Sequence, residues 1–320
     1  MEVNLYEKKY LNQWEEFVES SNNGTIFHTR KFLSYHPLDR FKDSSLIFKD
    51  KNKIVAVLTA ALTHSDNSLN LVSHQGASYG GFVYKESLSV KHAFELTETL
   101  IDFSSKNNIN KIVITHSPFI YQNLYNNYID FALIKNGFQY LKREVSSIVS
   151  LNVKENEVFK LFKPEARTAV RKSEKLKVAI NKSDDFQEYY KILKNNLALR
   201  HNVKPAHSQE ELLKLKKLFP ARIHLVGAYL KNKLIAGVVN FYCNPKVVLV
   251  FYISHHPEYQ RYRALNLLFY EIIKESISKG FSYLDFGLFT VNMVPNWGLG
   301  RFKENFGAKG ILRDTFFLDI

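Results

Sequence analysis

The sequence predicts an α/β (α+β) protein made of two copies of one unit, and three observations carry that prediction. The chain has 320 residues, more than one hydrophobic core usually organises. Apolar runs of strand type alternate with stretches of helical periodicity along its whole length. The block Lys51-Asn52-Lys53-Ile54-Val55-Ala56 recurs as Lys231-Asn232-Lys233-Leu234-Ile235-Ala236, and 231 less 51 gives an offset of 180. Ser73-His74 recurs as Ser254-His255 at an offset of 181, each pair coming after an apolar strand and before a helix. The same order at a nearly constant offset marks a duplication. Residues 1–150 form the first copy and residues 151–320 the second.

Along the first copy, Trp14, Phe17 and Val18 fall at helical spacing, and Asn23-Gly24 ends that segment. A second short helical segment from Thr25 to Tyr35 stops at Pro37. Residues 46–48 and 54–62 read as strands around a turn at Asp50-Lys51-Asn52. Leu69 and Leu71 alternate with polar residues in a third strand, and Gly76, Gly80 and Gly81 loosen the next stretch. Ala93, Leu96, Thr97, Leu100 and Ile101 trace one helix face. Residues 111–115 form a buried strand, Pro118 a loop, and residues 146–153 the strand that closes the copy.

In the second copy Arg167, Arg171 and Lys175 are spaced i, i+4, i+8, so a helix sets three cations on one face. Phe186, Tyr189, Tyr190, Leu193 and Leu197 give an amphipathic helix ending near Arg200-His201. Ser208 with Glu211 has the form of a capping box, opening a helix that Pro220 closes. Tyr283, Leu284 and Phe286 form a last apolar strand before Gly287. A loop with Pro295, Trp297 and two glycines then leads to Arg301-Phe302-Lys303. Glycines that admit close backbone approach, beside cations and an aromatic, suit an anionic or carbonyl-bearing substrate.

Composition narrows the partners. A net charge of +13, from 44 basic and 31 acidic residues, points to polyanions such as nucleic acid, nucleotide pyrophosphate or anionic lipid headgroups. Cys243 is the sole cysteine, which excludes an intrachain disulfide and a cysteine-based zinc site. His255-His256 has no carboxylate or cysteine at ligand spacing, so no metal is expected. The charged N-terminus and the lack of a transmembrane-length apolar run predict a cytoplasmic protein, with contact to the cytosolic membrane face as a peripheral option. Asp285-Phe286-Gly287 spells a kinase tripeptide, but no phosphate-covering glycine loop precedes it; Asp285 reads as a strand-end carboxylate lining the site.

The chain resembles the FemAB-like tandem-GNAT family. The resemblance rests on Gly24-Thr25-Ile26-Phe27-His28, the RTAVRKSEK run from Arg167 to Lys175, Arg200, the YLDFG of 283–287, and Gly300 to Ala308. It implies two tandem GNAT-like domains with mixed central sheets, the second carrying an acyl-transfer site. It further implies that Phe302 and Lys303 sit at that centre, with Lys303 stabilising charge on the carbonyl oxygen. Asp285 joins them as a catalytic-site residue. The donor would meet Ser254, His255, Arg261 and Arg263; the acceptor would meet Arg200, Trp297, Arg301 and His36. His36 stands where some members place a lysine that grips a peptidoglycan precursor. The usual R/Q-x-x-G-x-G/A phosphate loop is replaced by residues 259–265 without a glycine, which leaves Arg261 and Arg263 to bind phosphate by charge.

The resulting expectation is an N-acyltransferase with no tightly bound cofactor. It would use acyl-CoA or aminoacyl-tRNA as co-substrate and act on an amine-bearing cell-envelope precursor, such as a peptidoglycan stem peptide or a surface-polysaccharide amino sugar. The alternative is a non-catalytic RNA- or polyanion-binding protein that uses the basic face from Arg167 to Lys177.

Overall fold

The computed structural model describes residues 1–37, 39–65, 68–73, 75–201 and 205–320, the side chains of 199–201 excepted. The chain divides into two compact units, Met1–Glu144 with Leu312–Ile320, and Val145–Ile311.

Unit 1 contains β1 (Glu2–Leu5), β2 (Lys42–Asp43), β3 (Leu46–Asp50), β4 (Lys53–Ser65), β5 (Ser68–Ser73), β6 (Gly81–Tyr84) and β7 (Lys111–Thr115). Its helices are α1 (Leu11–Glu19), α2 (Arg30–Leu33), α3 (Val90–Lys106) and α4 (Tyr128–Lys135). Strand β8 (Gln139–Ser150) crosses the division. Unit 2 continues with α5 (Pro164–Lys175), β9 (Val178–Ser183), α6 (Phe186–His201), α7 (Gln209–Leu218), β10 (Ile223–Leu230), β11 (Lys233–Tyr242) and β12 (Val247–His255). Helix α8 (Ala264–Ser278), β13 (Tyr283–Leu288), β14 (Thr290–Val291), β15 (Val294–Pro295) and α9 (Trp297–Glu304) come next, and β16 (Lys309–Asp319) leads back into unit 1.

The repeated blocks are the same structural device. Asp50 pairs with Lys53 across Lys51-Asn52, and Leu230 pairs with Lys233 across Lys231-Asn232, so each block turns a two-residue hairpin. Lys51, Asn52 and Lys231 have positive φ, the backbone such tight turns demand. Strand order then agrees position by position. Unit 1 runs β1-β3-β4-β5-β7-β16, and unit 2 runs β9-β10-β11-β12-β13-β8. In both, the fourth and fifth strands are parallel and the other neighbours in these orders whose pairings are described are antiparallel. The sheets are mixed, as expected.

The sixth strands break the simple copy order. β8 ends the first copy in sequence yet pairs with β13 of unit 2, while β16 ends the second copy and pairs with β7 of unit 1. Each sheet thus completes itself with a strand from the other repeat.

Helices cover these sheets for legible reasons. Ala93, Leu96, Thr97, Leu100 and Ser104 form the buried stripe of α3, and Ser89 caps it by accepting from the His92 amide. Ser208 and Glu211 make the foreseen capping box at α7. Leu267, Leu268, Ile272 and Ile273 of α8 enter the unit 2 core with Val238, Val248 and Leu284. Several elements escape the sequence reading, among them β1, β9, β16, the strand β6, where glycines suggested a loose stretch, and α4, whose apolar residues lie on two faces.

The stretch after Gly287 also differs from the expected glycine-rich loop. It holds the β14–β15 hairpin and then a helix whose first residue is Trp297. Asn296 caps that helix by accepting from the Leu299 amide. Gly300 fits inside it because a Cβ there would lie 3.2 Å from the Phe289 ring, so packing overrides glycine's poor helix propensity.

Candidate active site

The site is built where two parallel strands part. β12 and β13 are in register only from Val247–Tyr283 to Leu249–Asp285. Beyond that pair β12 runs on to His255 and β13 to Leu288 without pairing to each other, so the backbone edges that face between them lie open.

Asp285 sits at the last paired position and is fully buried. Its Oδ1 accepts from the Ser146 hydroxyl at 2.6 Å and from the Gly287 amide at 2.7 Å. That second bond helps hold Gly287 in the left-handed region, at φ +70°. The turned backbone presents the carbonyls of Gly287 and Leu288 to one side chain, Lys303 of α9. Its ammonium donates to them at 2.8 and 2.6 Å.

Lys303 is only 2% exposed. Burial pulls its pKa from 10.5 down to about 8, and the Asp285 carboxylate opposes that fall. A buried lysine poised this close to neutrality is a frequent sign of a working site. An ammonium has three N–H donors, and two are committed to backbone carbonyls. Among the described residues the third has no partner. Phe302, next to it, packs edge-on against Phe269 and Phe306.

The other expected residues are spread over both units. Ser254 is buried on β12 and its hydroxyl receives the Asn196 amide at 3.1 Å. His255 is half-buried, with Nδ1 3.3 Å from the His256 carbonyl. Arg261 and Arg263 are exposed just before α8. Trp297 and Arg301 are exposed on α9. Arg167, Arg171 and Lys175 do share α5, with Arg171 over the Phe159 ring and the Arg167 Nε buried without a partner among the described residues. His36 belongs to unit 1, nearly buried between the rings of Tyr35 and Phe41. The side chain of Arg200, and His74 altogether, lie outside the described residues.

Two residues were missed. Ser146 fixes Asp285 from 139 positions away, a separation no local pattern reveals. Asn196 supports Ser254 and leaves its own buried Oδ1 unpartnered among the described residues; a polar residue on an otherwise apolar helix face was its only signal.

The α8 entry bears on the donor. Arg263 has φ +54°, the left-handed backbone that glycine adopts at least cost, and its amide is already bonded to the Gln260 carbonyl. Arginine at that position implies a side chain worth some strain. Arg263→Gly should therefore raise thermal stability by about 1 kcal/mol, and calorimetry checks it.

Charge separates the units. Unit 2 carries 27 basic and 14 acidic residues, whereas unit 1 carries 17 of each, so the whole excess lies with the candidate site's unit. Among the described residues there is no group of three metal-ligating side chains and no helix long and apolar enough to cross a membrane.

Residues 162–303 match the family model described as an acetyltransferase (GNAT) domain, and the match ends on Lys303. No curated protein sequence matches the chain. Among solved structures, FemX superposes with a TM-score of 0.76 at 12% identity, over 100% of this chain and 98% of that one. A tandem GNAT protein from the clavulanic acid biosynthesis pathway gives 0.56 at 10%, over 99% and 98%. The C-terminal domain of a provisionally named lysylphosphatidylglycerol synthetase from Agrobacterium fabrum gives 0.62 at 10%, over 97% and 91%. The fold is the FemAB-like tandem-GNAT fold. Unit 2 holds an acyltransferase domain of the GNAT type.

Proposed function

We propose that the chain transfers an acyl or aminoacyl group to a primary amine on a cell-envelope precursor, with Lys303 as the oxyanion partner. The observation that carries this reading is the buried Lys303 ammonium beside the parting of β12 and β13, with one N–H uncommitted among the described residues. The neutral amine attacks the acyl carbonyl and a C–N bond forms. The carbonyl oxygen becomes an oxyanion, which the third N–H of Lys303 meets. Collapse expels the thiolate of an acyl-CoA or the ribose oxygen of an aminoacyl-tRNA, and the proton lost by the amine balances the leaving group. Phe302 keeps water from the intermediate.

The donor would extend along the open edge of β12 past Ser254 and His255, with its phosphates toward Arg261 and Arg263. The structural neighbours' names, FemX and a lysylphosphatidylglycerol synthetase, support an aminoacyl or acyl donor and an envelope acceptor. Trp297, Arg301 and Arg200 are the proposed acceptor contacts of unit 2; His36 is a separate proposed substrate contact within unit 1. The Arg167, Arg171 and Lys175 face is the proposed contact for tRNA if the donor is aminoacyl-tRNA.

The decisive experiment incubates purified protein with labelled acetyl-CoA or charged tRNA and amine-bearing precursors, and traces the label. Label on an amide of the acceptor supports the reading; salt-dependent RNA binding without transfer removes it. Arg261→Ala with Arg263→Ala should weaken donor binding at least about tenfold and flatten its salt dependence. Unchanged donor affinity would exclude that loop as the phosphate site.

A further inference from the structure

The hairpin between the candidate site and α9 is built against the usual rule for exposed loops. Val291 is 70% exposed, Val294 67% and Trp297 74%, with Met293 exposed between them. Val291 pairs with Val294 around Asn292 and Met293, both at positive φ, so a tight two-residue turn drives the apolar side chains outward. From Leu288 to Lys303 there is no carboxylate, and Arg301 is exposed nearby. The unit that carries this tip also holds the entire net charge of +13.

We propose that the β14–β15 hairpin and Trp297 dock the chain onto an anionic lipid bilayer. Exposed valines, a methionine and a tryptophan match the headgroup–acyl boundary, where an indole places its ring in the apolar layer and its N–H in the wet one. Exposed Arg301 and the net positive charge of unit 2 supply the attraction to anionic headgroups. The hairpin also satisfies much of its own backbone, because Val291 pairs with Val294 and Pro295 has no N–H to lose. The shallow tip limits entry to the interface. The inference rests on the acyl-transfer reading and sharpens it: β13 leads from the Lys303 carbonyl partners straight into this hairpin, so the amine acceptor is lipid-borne.

The chain itself provides the probe, since its two tryptophans are Trp14, fully buried, and Trp297. Full-length protein is mixed with phosphatidylcholine vesicles, with or without phosphatidylglycerol, and both sedimentation and tryptophan emission are read. The expected result is binding to the anionic vesicles only, weakened by salt, with a blue shift and quenching by brominated lipid that Trp297→Phe abolishes. Val291→Asp with Val294→Asp should lower vesicle partitioning about tenfold or more, while circular dichroism stays unchanged. Phe131→Ser, on an exposed apolar position of α4 in the unit with no net charge, should leave partitioning unchanged. The proposal is overturned by failure to bind, by binding without a change at Trp297, by loss through Phe131→Ser alone, or by a Trp297 shift with tRNA and not vesicles. Vesicle binding needs no turnover, so a failure here is distinct from a failure of the transfer reading.

Discussion

Lys303→Met should lower acyl transfer by roughly a hundred- to a thousandfold while leaving donor and acceptor binding within a few-fold. Methionine keeps the buried chain volume that alanine would empty, so this variant isolates the charge. The wild-type rate should fall as pH rises through about 8, because burial has brought the ammonium that low and only the protonated form meets an oxyanion. Lys303→Arg should carry that falling limb beyond the accessible range with incomplete recovery of rate, since a planar guanidinium cannot copy a compact ammonium. Stability gives an independent sign check. Lys303 holds its proton to about 8 in the fold and to 10.5 as an ordinary lysine. Between those values the unfolded chain binds the extra proton, so wild-type stability should rise with pH across that window relative to Lys303→Met. Near-wild-type turnover in a folded Lys303→Met protein would reduce the residue to a pin for the end of β13.

The second large effect is expected at Asp285. Asp285→Ala strands the Ser146 hydroxyl and the Gly287 amide in a buried place and removes the negative charge that offsets burial of the Lys303 ammonium, and should cost about 3 kcal/mol or more in denaturant unfolding. Asp285→Asn keeps an acceptor for both hydrogen bonds but removes the negative charge. That charge raises the Lys303 pKa, so its loss should move the falling limb of the pH–rate profile below about 8. A profile unchanged in a folded Asp285→Asn protein would break the electrostatic link between the two residues.

The duplication was legible because it is written in turn chemistry: Lys-Asn at two hairpin tips and matching apolar strands on either side. Lys303 and Phe302 stood out through the resemblance and Asp285 as a strand-end carboxylate, but the hydrogen-bonded setting of Lys303 and Asp285 did not. Glycine and proline near Trp297 argued for a loop, and only the Phe289 ring against Gly300 shows why the helix takes a glycine there. Ser146 and Asn196 were invisible because their value lies in one distant partner each. The destination of β8 and β16 was equally hidden, since period-two patterning states that a strand is half-buried and says nothing of which sheet receives it.

That strand reciprocity sets an order of events during synthesis. Lys111–Thr115 leaves the ribosome long before its neighbour Thr315–Asp319, with all of unit 2 translated in between. Until then the β7 edge is an unpaired row of backbone donors and acceptors, the kind of surface that recruits foreign strands. Closing a register across 200 residues is also slow, because the loop entropy falls due before the pairing returns anything. The nascent protein therefore has a long-lived vulnerability in unit 1, and β16 acts as the latch.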